Sequence, residues 1–333
     1  MSKIYEALRQ AEADRKNGIV PSNAATATQE PAGFSPEPAD VPAYSHTGRA
    51  LAAAPIASRE DQGRPIPVLE PRGGLAETLS SPAALDLSRV PLVAWQPSLV
   101  RLPALDERGP AVEQFRSLRS RMQEFRDLNS LKSILVSSGL PQEGKSFVAA
   151  NLAISLARHK AARVLLIDGD MRRATLHEML GAPIAPGLTE YLSGSASIAE
   201  VMQRIKQETD GAKLPPGLAS LTFIPAGKEH DKAADLSGNR RFEQLITAVS
   251  PNFDWIVVDS SPVNLVSDAV NLARACDAVL LVARGGVTRF EVAQRAVAEL
   301  KASKVLGFVL NAVENPPIAG GYYGYDGYDK LEA

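Results

Sequence analysis

One stretch of this chain restricts its fold more than any other. An unbroken apolar run, SILVSS at 133–138, passes directly into GLPQEGKS at 139–146, and that passes into the helical pattern SFVAANLAISLARH. The middle segment fits G-x-x-x-x-G-K-S without deviation, and it sits between a strand and a helix as that pattern requires. Glycines let the backbone wrap closely around an anion, and successive N–H groups at the helix N-terminus point at phosphate oxygens. In this arrangement Lys145 contacts the β- and γ-phosphates of a nucleotide and Ser146 ligates Mg²⁺.

The rest of the chain repeats the alternation. Strand candidates are SILVSS (133–138), RVLLID (163–168), LTFIPA (221–226), WIVVDS (255–260), AVLLVA (278–283) and VLGFVLNAV (305–313). Their hydrophobicity is continuous, which predicts strands buried on both faces. Helical patterns lie between them, at 239–249 and at 288–303, where Thr288 and Glu291 make a capping-box pattern. The segment from Pro110 places proline at a helix start and carries an apolar stripe of Val112, Phe115, Leu118, Met122 and Phe125. Strands alternating with helices predict an α/β fold, a parallel sheet with helices on both faces.

Outside this region the pattern changes. Residues 1–18 read as a short amphipathic helix with Ile4, Leu8 and Ala11 on one side. Residues 19–104 are broken by many prolines in an Ala, Ser and Thr background and read as a flexible linker, with VPLVAW at 90–95 able to lie on the domain as an extended piece. The folded domain is expected at 105–313 and a flexible tail at 314–333. Net charge is −2, which makes no electrostatic case for nucleic acid. A single cysteine, Cys276, fits a reducing cytoplasm, and no run of about 18 apolar residues is present to span a membrane.

Two further strands end in aspartates, and α/β sheets bind ligands at the carboxyl ends of their strands. LLIDGDMRR puts Asp168 and Asp170 at one strand mouth, with Arg172 and Arg173 just beyond, and WIVVDSSP puts Asp259 at another. A nucleotide–Mg²⁺ complex needs an acidic group near the metal and an acceptor for the nucleophile's proton.

The tail adds a different signal. GGYYGYDGYDK holds Tyr322, Tyr323, Tyr325 and Tyr328, four of the seven tyrosines, among glycines and aspartates with no other apolar residue to pack on.

Taken in order, the phosphate loop, LLIDGDMR, IVVDSSP and the terminal tyrosine cluster resemble the bacterial tyrosine kinases of capsule and exopolysaccharide synthesis. The resemblance covers roughly 105–333, and MSKIYEALRQAE looks like the start of stand-alone members. It implies a P-loop NTPase fold of the MinD/ParA kind, preceded by a disordered N-terminal region, and an ATP- and Mg²⁺-dependent tyrosine autokinase acting on its own tail between subunits. It implies nucleotide contacts from Gly139, Gln142, Glu143, Gly144, Lys145, Ser146 and Phe147, and from Asn311 beside the adenine. Lys145, Asp168, Asp170, Arg172 and Asp259 form the implied catalytic cluster. Ser146, Asp168 and Asp259 stand at the metal, Asp170 supports it, and Asp168 takes up or orients the tyrosine proton. Glu113, Arg116 and Arg119 match an E-x-x-R-x-x-R motif that builds a ring-like homo-oligomer.

Implied partners are a membrane protein that sets polysaccharide chain length, acting as activator and recruiting the chain to the inner face of the membrane, and a tyrosine phosphatase. Two other readings use the same residues: a MinD/ParA-like positioning ATPase, which would carry lysine where this chain has Leu140, and a non-catalytic, nucleotide-dependent scaffold of the polysaccharide machinery.

Overall fold

The computed structural model describes residues 85–160, 162–206, 214–228, 233–238 and 240–314. The expected N-terminal helix, most of the expected linker and the tyrosine tail lie outside the described residues. The strands are β1 (Leu92–Val93), β2 (Ser133–Ser138), β3 (Val164–Asp168), β4 (Gln203–Ile205), β5 (Leu221–Ile224), β6 (Trp255–Asp259), β7 (Ala278–Arg284) and β8 (Val305–Asn311). The main helices are α1 (Pro110–Asn129), α2 (Lys145–Ala157), α3 (Leu176–Leu180), α4 (Leu188–Ser193), α5 (Ile198–Val201), α6 (Ala233–Ser237), α7 (Arg241–Val249), α8 (Asp268–Ala273) and α9 (Phe290–Glu299).

The eight strands form one sheet in the order β1-β4-β5-β3-β6-β2-β7-β8. From β5 to β8 every neighbouring pair is parallel. The expected parallel sheet is found, with one mixed edge where β4 runs antiparallel to β5 and β1 pairs with β4.

Successive side chains of a strand point to opposite faces. Here both faces are apolar, so the central strands feed two cores. Ile134, Val136, Val164, Leu166, Val257 and Leu280 enter the core beneath α1 and α2. Leu135, Leu165, Ile167, Ile256, Val258 and Leu281 enter the core beneath α4, α7, α8 and α9. Helix α2 runs down the centre of its face, and every residue from Val148 to Ala157 is buried. The apolar stripe of α1 seats as its spacing predicts: Val112, Phe115 and Met122 are buried, and Leu118 and Phe125 pack at the core's margin.

Packing begins earlier than the linker boundary at 104. Val90 lies in one core, and Trp95, Leu102, Ala104 and Leu105 lie in the other, so the segment passes around the β1 edge of the sheet. Trp95 meets Phe223 edge-on with ring centroids 6.1 Å apart. Its indole N–H donates to Gln203 Oε1 at 3.1 Å, which ties the segment to β4. The side chain of Asn151 accepts from the Ala104 N–H at 2.9 Å and donates to the Arg101 carbonyl at 3.1 Å, fixing the segment's end against α2. A second correction concerns the helix expected at 288–303. Helix α9 begins at Phe290, and its N-cap residue Arg289 makes no side-chain cap bond. Thr288 is engaged elsewhere.

Because Trp95 fills a buried slot on both the apolar and the polar count, Trp95→Ala is expected to lower unfolding stability by about 3–5 kcal/mol. Urea denaturation of the full chain measures this. An unchanged midpoint would mean that residues 85–104 contribute nothing to the fold.

Candidate functional site

The carboxyl ends of β2, β3 and β6 lie side by side at the middle of the sheet. In the register, Asp168 stands opposite Asp259, and Asp259 stands opposite Val136 of β2. The turn after β3 leaves no room for an extra carbon. A Cβ on Gly169 would come within 2.5 Å of the Asp259 carbonyl oxygen. Glycine therefore lets the chain turn between the two aspartates while the Gly169 N–H donates to that same carbonyl at 3.0 Å.

Beyond β2 the chain forms the phosphate loop and enters α2. Gln142 and Gly144 both adopt positive φ, 63° and 94°. Gly144 is needed on a second count, since a Cβ there would meet the Asn311 side chain at 2.0 Å. Leu140, Pro141 and Gln142 are exposed, whereas Glu143 is buried. The Glu143 carboxylate folds back beneath the loop, accepting from the Leu140 N–H at 2.8 Å and from the Thr288 hydroxyl. Asn311, the last residue of β8, donates from Nδ2 to the Glu143 carbonyl at 3.0 Å.

Lys145, at the start of α2, reaches across to the aspartates. Its Nζ lies 2.6 Å from Asp170 Oδ2 and 3.3 Å from Ser146 Oγ. Burial disfavours its charge, but Asp259, Asp170 and Asp168 outweigh burial and hold its pKa above the ordinary lysine value. Asp168 is fully buried, with its oxygens accepting from the N–H groups of Asp170 and Leu176 at 3.2 Å each. Burial first, then Asp259 and Asp170, raise its pKa well above the ordinary range. Asp259 is raised by burial to about 6, against the pull of Lys145 and of the nearby Ser146 hydroxyl. Neither of its buried oxygens has a partner at hydrogen-bonding geometry. The proximity of Ser146 thus favours the charge without satisfying the carboxylate.

The other expected site residues divide. Lys145, Ser146, Asp168, Asp170 and Asp259 come together, with Gly139, Gln142 and Gly144 in the loop and Asn311 against it. Arg172 instead pairs with Asp268 at the start of α8, at 2.6 Å from Nε to Oδ2. Phe147 packs its ring on Phe115 with centroids 5.8 Å apart, on the α1 side of α2. On α1, Arg116 pairs with Glu113 at 2.6 Å near the surface, while Arg119 turns inward to donate to the Ser155 carbonyl at 3.0 Å. Tyr322, Tyr323, Tyr325 and Tyr328 lie outside the described residues. Sequence reasoning missed Asp268, the buried partner of Arg172, and Thr288, the partner of Glu143. Both follow strands that end at this face, which was the available signal.

A largely covered lysine set among buried strand-end carboxylates beside a wrapped loop suits binding a phosphorylated anion and accepting a proton near it. Comparison with known proteins agrees with that chemistry. Residues 139–292 match the family described as AAA domain, AAA_31. The tyrosine-protein kinase wzc of Salmonella typhimurium is 31% identical over 223 residues, covering 66% of this chain and 29% of that protein. The chain therefore spans less than a third of that relative's length. The tyrosine-protein kinase CpsD of Streptococcus agalactiae is 32% identical over 215 residues, which is 64% of this chain and 88% of CpsD. Among solved structures, the kinase domain of the Escherichia coli tyrosine kinase ETK superposes with a TM-score of 0.58 at 28% identity, covering 67% of this chain and 84% of that one. The BceF tyrosine kinase domain superposes with a TM-score of 0.53 at 30% identity, covering 67% and 83%. With the phosphate loop, the three strand-end aspartates and a relative matched over most of its length, the chain belongs to the bacterial tyrosine-protein kinase family.

Proposed function

We propose that this chain is an ATP-dependent protein-tyrosine kinase and that its substrate is the tyrosine cluster of its own tail, presented by a neighbouring subunit. The observation that carries this reading is the set of three buried aspartates, Asp168, Asp170 and Asp259, with the largely covered Lys145 among them at the mouth of the phosphate loop. Lys145 leaves Asp170 for the terminal phosphates of ATP, where its positive charge offsets the charge that develops during transfer. Asp168 accepts the proton of the attacking tyrosine hydroxyl. Its pKa, raised first by burial and then by Asp259 and Asp170, makes it a stronger proton acceptor than an ordinary carboxylate.

Mg²⁺ fits the donors present. Asp259 has two buried oxygens without partners, beside the Ser146 hydroxyl. Among the described residues no group of three or more His, Cys, Asp or Glu side chains could hold a metal as a closed cage. That agrees with an ion held by one or two protein groups together with substrate phosphates and water. When bound there, it would neutralise charge on the phosphates.

The sequence of the tail supports the choice of substrate: its glycines permit reach, and its tyrosines have no core to serve. Each phosphate adds about −1.5 to −2 charge. Several on a short acidic segment repel one another, which supplies a route to subunit release. For the assembly we propose a ring in which the Glu113–Arg116 pair, exposed on α1, meets a neighbour. For the activator we propose a membrane chain-length protein acting in trans, with a phosphatase resetting the tail. No helix among the described residues is long and apolar enough to cross a membrane.

Purified chain incubated with Mg²⁺ and ATP, with and without the activator's cytoplasmic segment, is expected to gain phosphotyrosine. Lys145→Met should lower the rate about 100-fold or more. Truncation after Asn315 should remove the acceptor while nucleotide binding persists. Phosphotyrosine that survives Lys145→Met, or that maps outside 322–328, would overturn the autokinase reading.

Asp259 gives a second test, on stability. Its folded pKa lies above the ordinary 3.8, at about 6. The native state therefore binds the proton more tightly than the unfolded chain, and this group's contribution to stability falls as pH rises from about 4 through 6. The rise corresponds to roughly 3 kcal/mol. Asp259→Asn should accordingly melt at a higher temperature than the parent at pH 8 without nucleotide, and the gain should shrink towards pH 5, while kinase activity is lost. Calorimetry at the two pH values reads this, and a gain independent of pH would count against the buried charge as its source.

A further inference from the structure

We propose that Thr288 and Glu143 are positioning residues that hold the phosphate loop in its binding shape without touching the nucleotide. The proposal rests on reading 139–146 as the nucleotide loop. The loop carries a non-glycine residue at positive φ, Gln142 at 63°. Such backbone persists only where the surroundings fix it. The surroundings here are a short chain of hydrogen bonds. Glu143 is 4% exposed, and its carboxylate spans the loop: Oε2 takes the Leu140 N–H at 2.8 Å, while Oε1 takes the Thr288 hydroxyl proton.

The direction of the Thr288 bond follows from its other partner. The Arg284 N–H at 2.8 Å can only donate, so Thr288 Oγ1 accepts it and its own proton is left for Glu143. The hydroxyl thus joins the end of β7 to the underside of the loop. This accounts for two observations at once. Glu143 is buried at the tip of a loop whose preceding three residues are exposed, and Thr288 stands outside α9 although its sequence context suits a helix cap. A valine at 288 fills nearly the same volume but leaves a buried carboxylate oxygen without its donor, and such losses are large for charged groups.

The test compares the full-length chain with Thr288→Val, Thr288→Ser and Glu143→Gln, by titration with a fluorescent N-methylanthraniloyl ATP in Mg²⁺ and by amide hydrogen exchange over 139–144. Thr288→Val is expected to weaken nucleotide binding about tenfold and to speed exchange in the loop. Thr288→Ser should restore both, because it keeps the hydroxyl. Glu143→Gln keeps an acceptor for Leu140 but places an amide against Thr288, and it should fall between them. If Thr288→Val does not fold, the serine and glutamine variants still rank the clamp. Equal affinity and equal loop exchange in all variants would overturn the proposal, as would a serine variant as impaired as the valine. If the parent chain binds no nucleotide, the reading of the loop fails, and the exchange comparison still decides whether the clamp exists. Phosphotyrosine formation is not the readout, so failure of the kinase reading leaves this result interpretable.

Discussion

Two carboxylates face each other across adjacent strands at the centre of the sheet, fully removed from water, with a third nearby and one ammonium among them. Left to themselves, like charges at such spacing would separate or take up protons. Asp168 and Asp259 cannot separate, because each ends a strand hydrogen-bonded on both sides in the middle of the sheet. Burial raises the pKa of both, with Asp259 and Asp170 adding to the rise of Asp168 and Asp170 to that of Asp259, and a lysine is drawn in from the phosphate loop. The rigid frame makes the excess negative charge available. In the proposed function, Asp259 would hold Mg²⁺ and Lys145 would exchange Asp170 for the nucleotide phosphates. The two apolar cores on either side of the sheet hold the strand ends in place against this repulsion.

Much of this was legible in the amino-acid pattern, and the parts that were not share a cause. Strands β2, β3, β5, β6 and β7 announce themselves because burial on both faces demands continuous apolar residues, while β8 carries the same pattern although it lies at the sheet edge and is only half-buried. Strands β1 and β4 give no such signal. They are two and three residues long, and their place depends on partners far away in sequence, such as the Trp95 indole on Gln203, 108 positions on. A proline-rich composition argues for a linker locally, and it was overridden near 90–105 by burial of Trp95, Leu102 and Leu105. The antiparallel turn of β4 is likewise a property of the sheet edge and not of its three residues.

At the site, sequence identified which segments meet but not which way each side chain turns. The motif position of Phe147 suggested a nucleotide contact, yet its neighbour on α1 is another phenylalanine, and ring packing decides its direction. Arg172 follows the aspartate pair in sequence, but a buried carboxylate at Asp268 offers it two hydrogen bonds at 2.6 and 3.4 Å. Helical spacing put Arg116 and Arg119 on one arc beside the apolar stripe. Three residues of rise were enough to leave one with Glu113 at the surface and to turn the other onto α2. Each outcome turns on a partner from another element, which no window along the chain contains.

The phosphate loop is the place where these distant partners matter most. It is anchored in sequence only by β2 and α2, but in space also by β7 through Thr288 and by β8 through Asn311. Strand β8 is the last in the sheet, and the chain continues from it towards the tyrosines at 322–328. The residue that closes the fold therefore grips the Glu143 carbonyl, next to the glycine whose φ of 94° opens α2. The root of the tail and the geometry of the loop are thus parts of one hydrogen-bonded unit. Loop and tail root cannot be altered independently at Asn311, because its side chain both ends the strand and fills the space above Gly144, where a Cβ would collide at 2.0 Å.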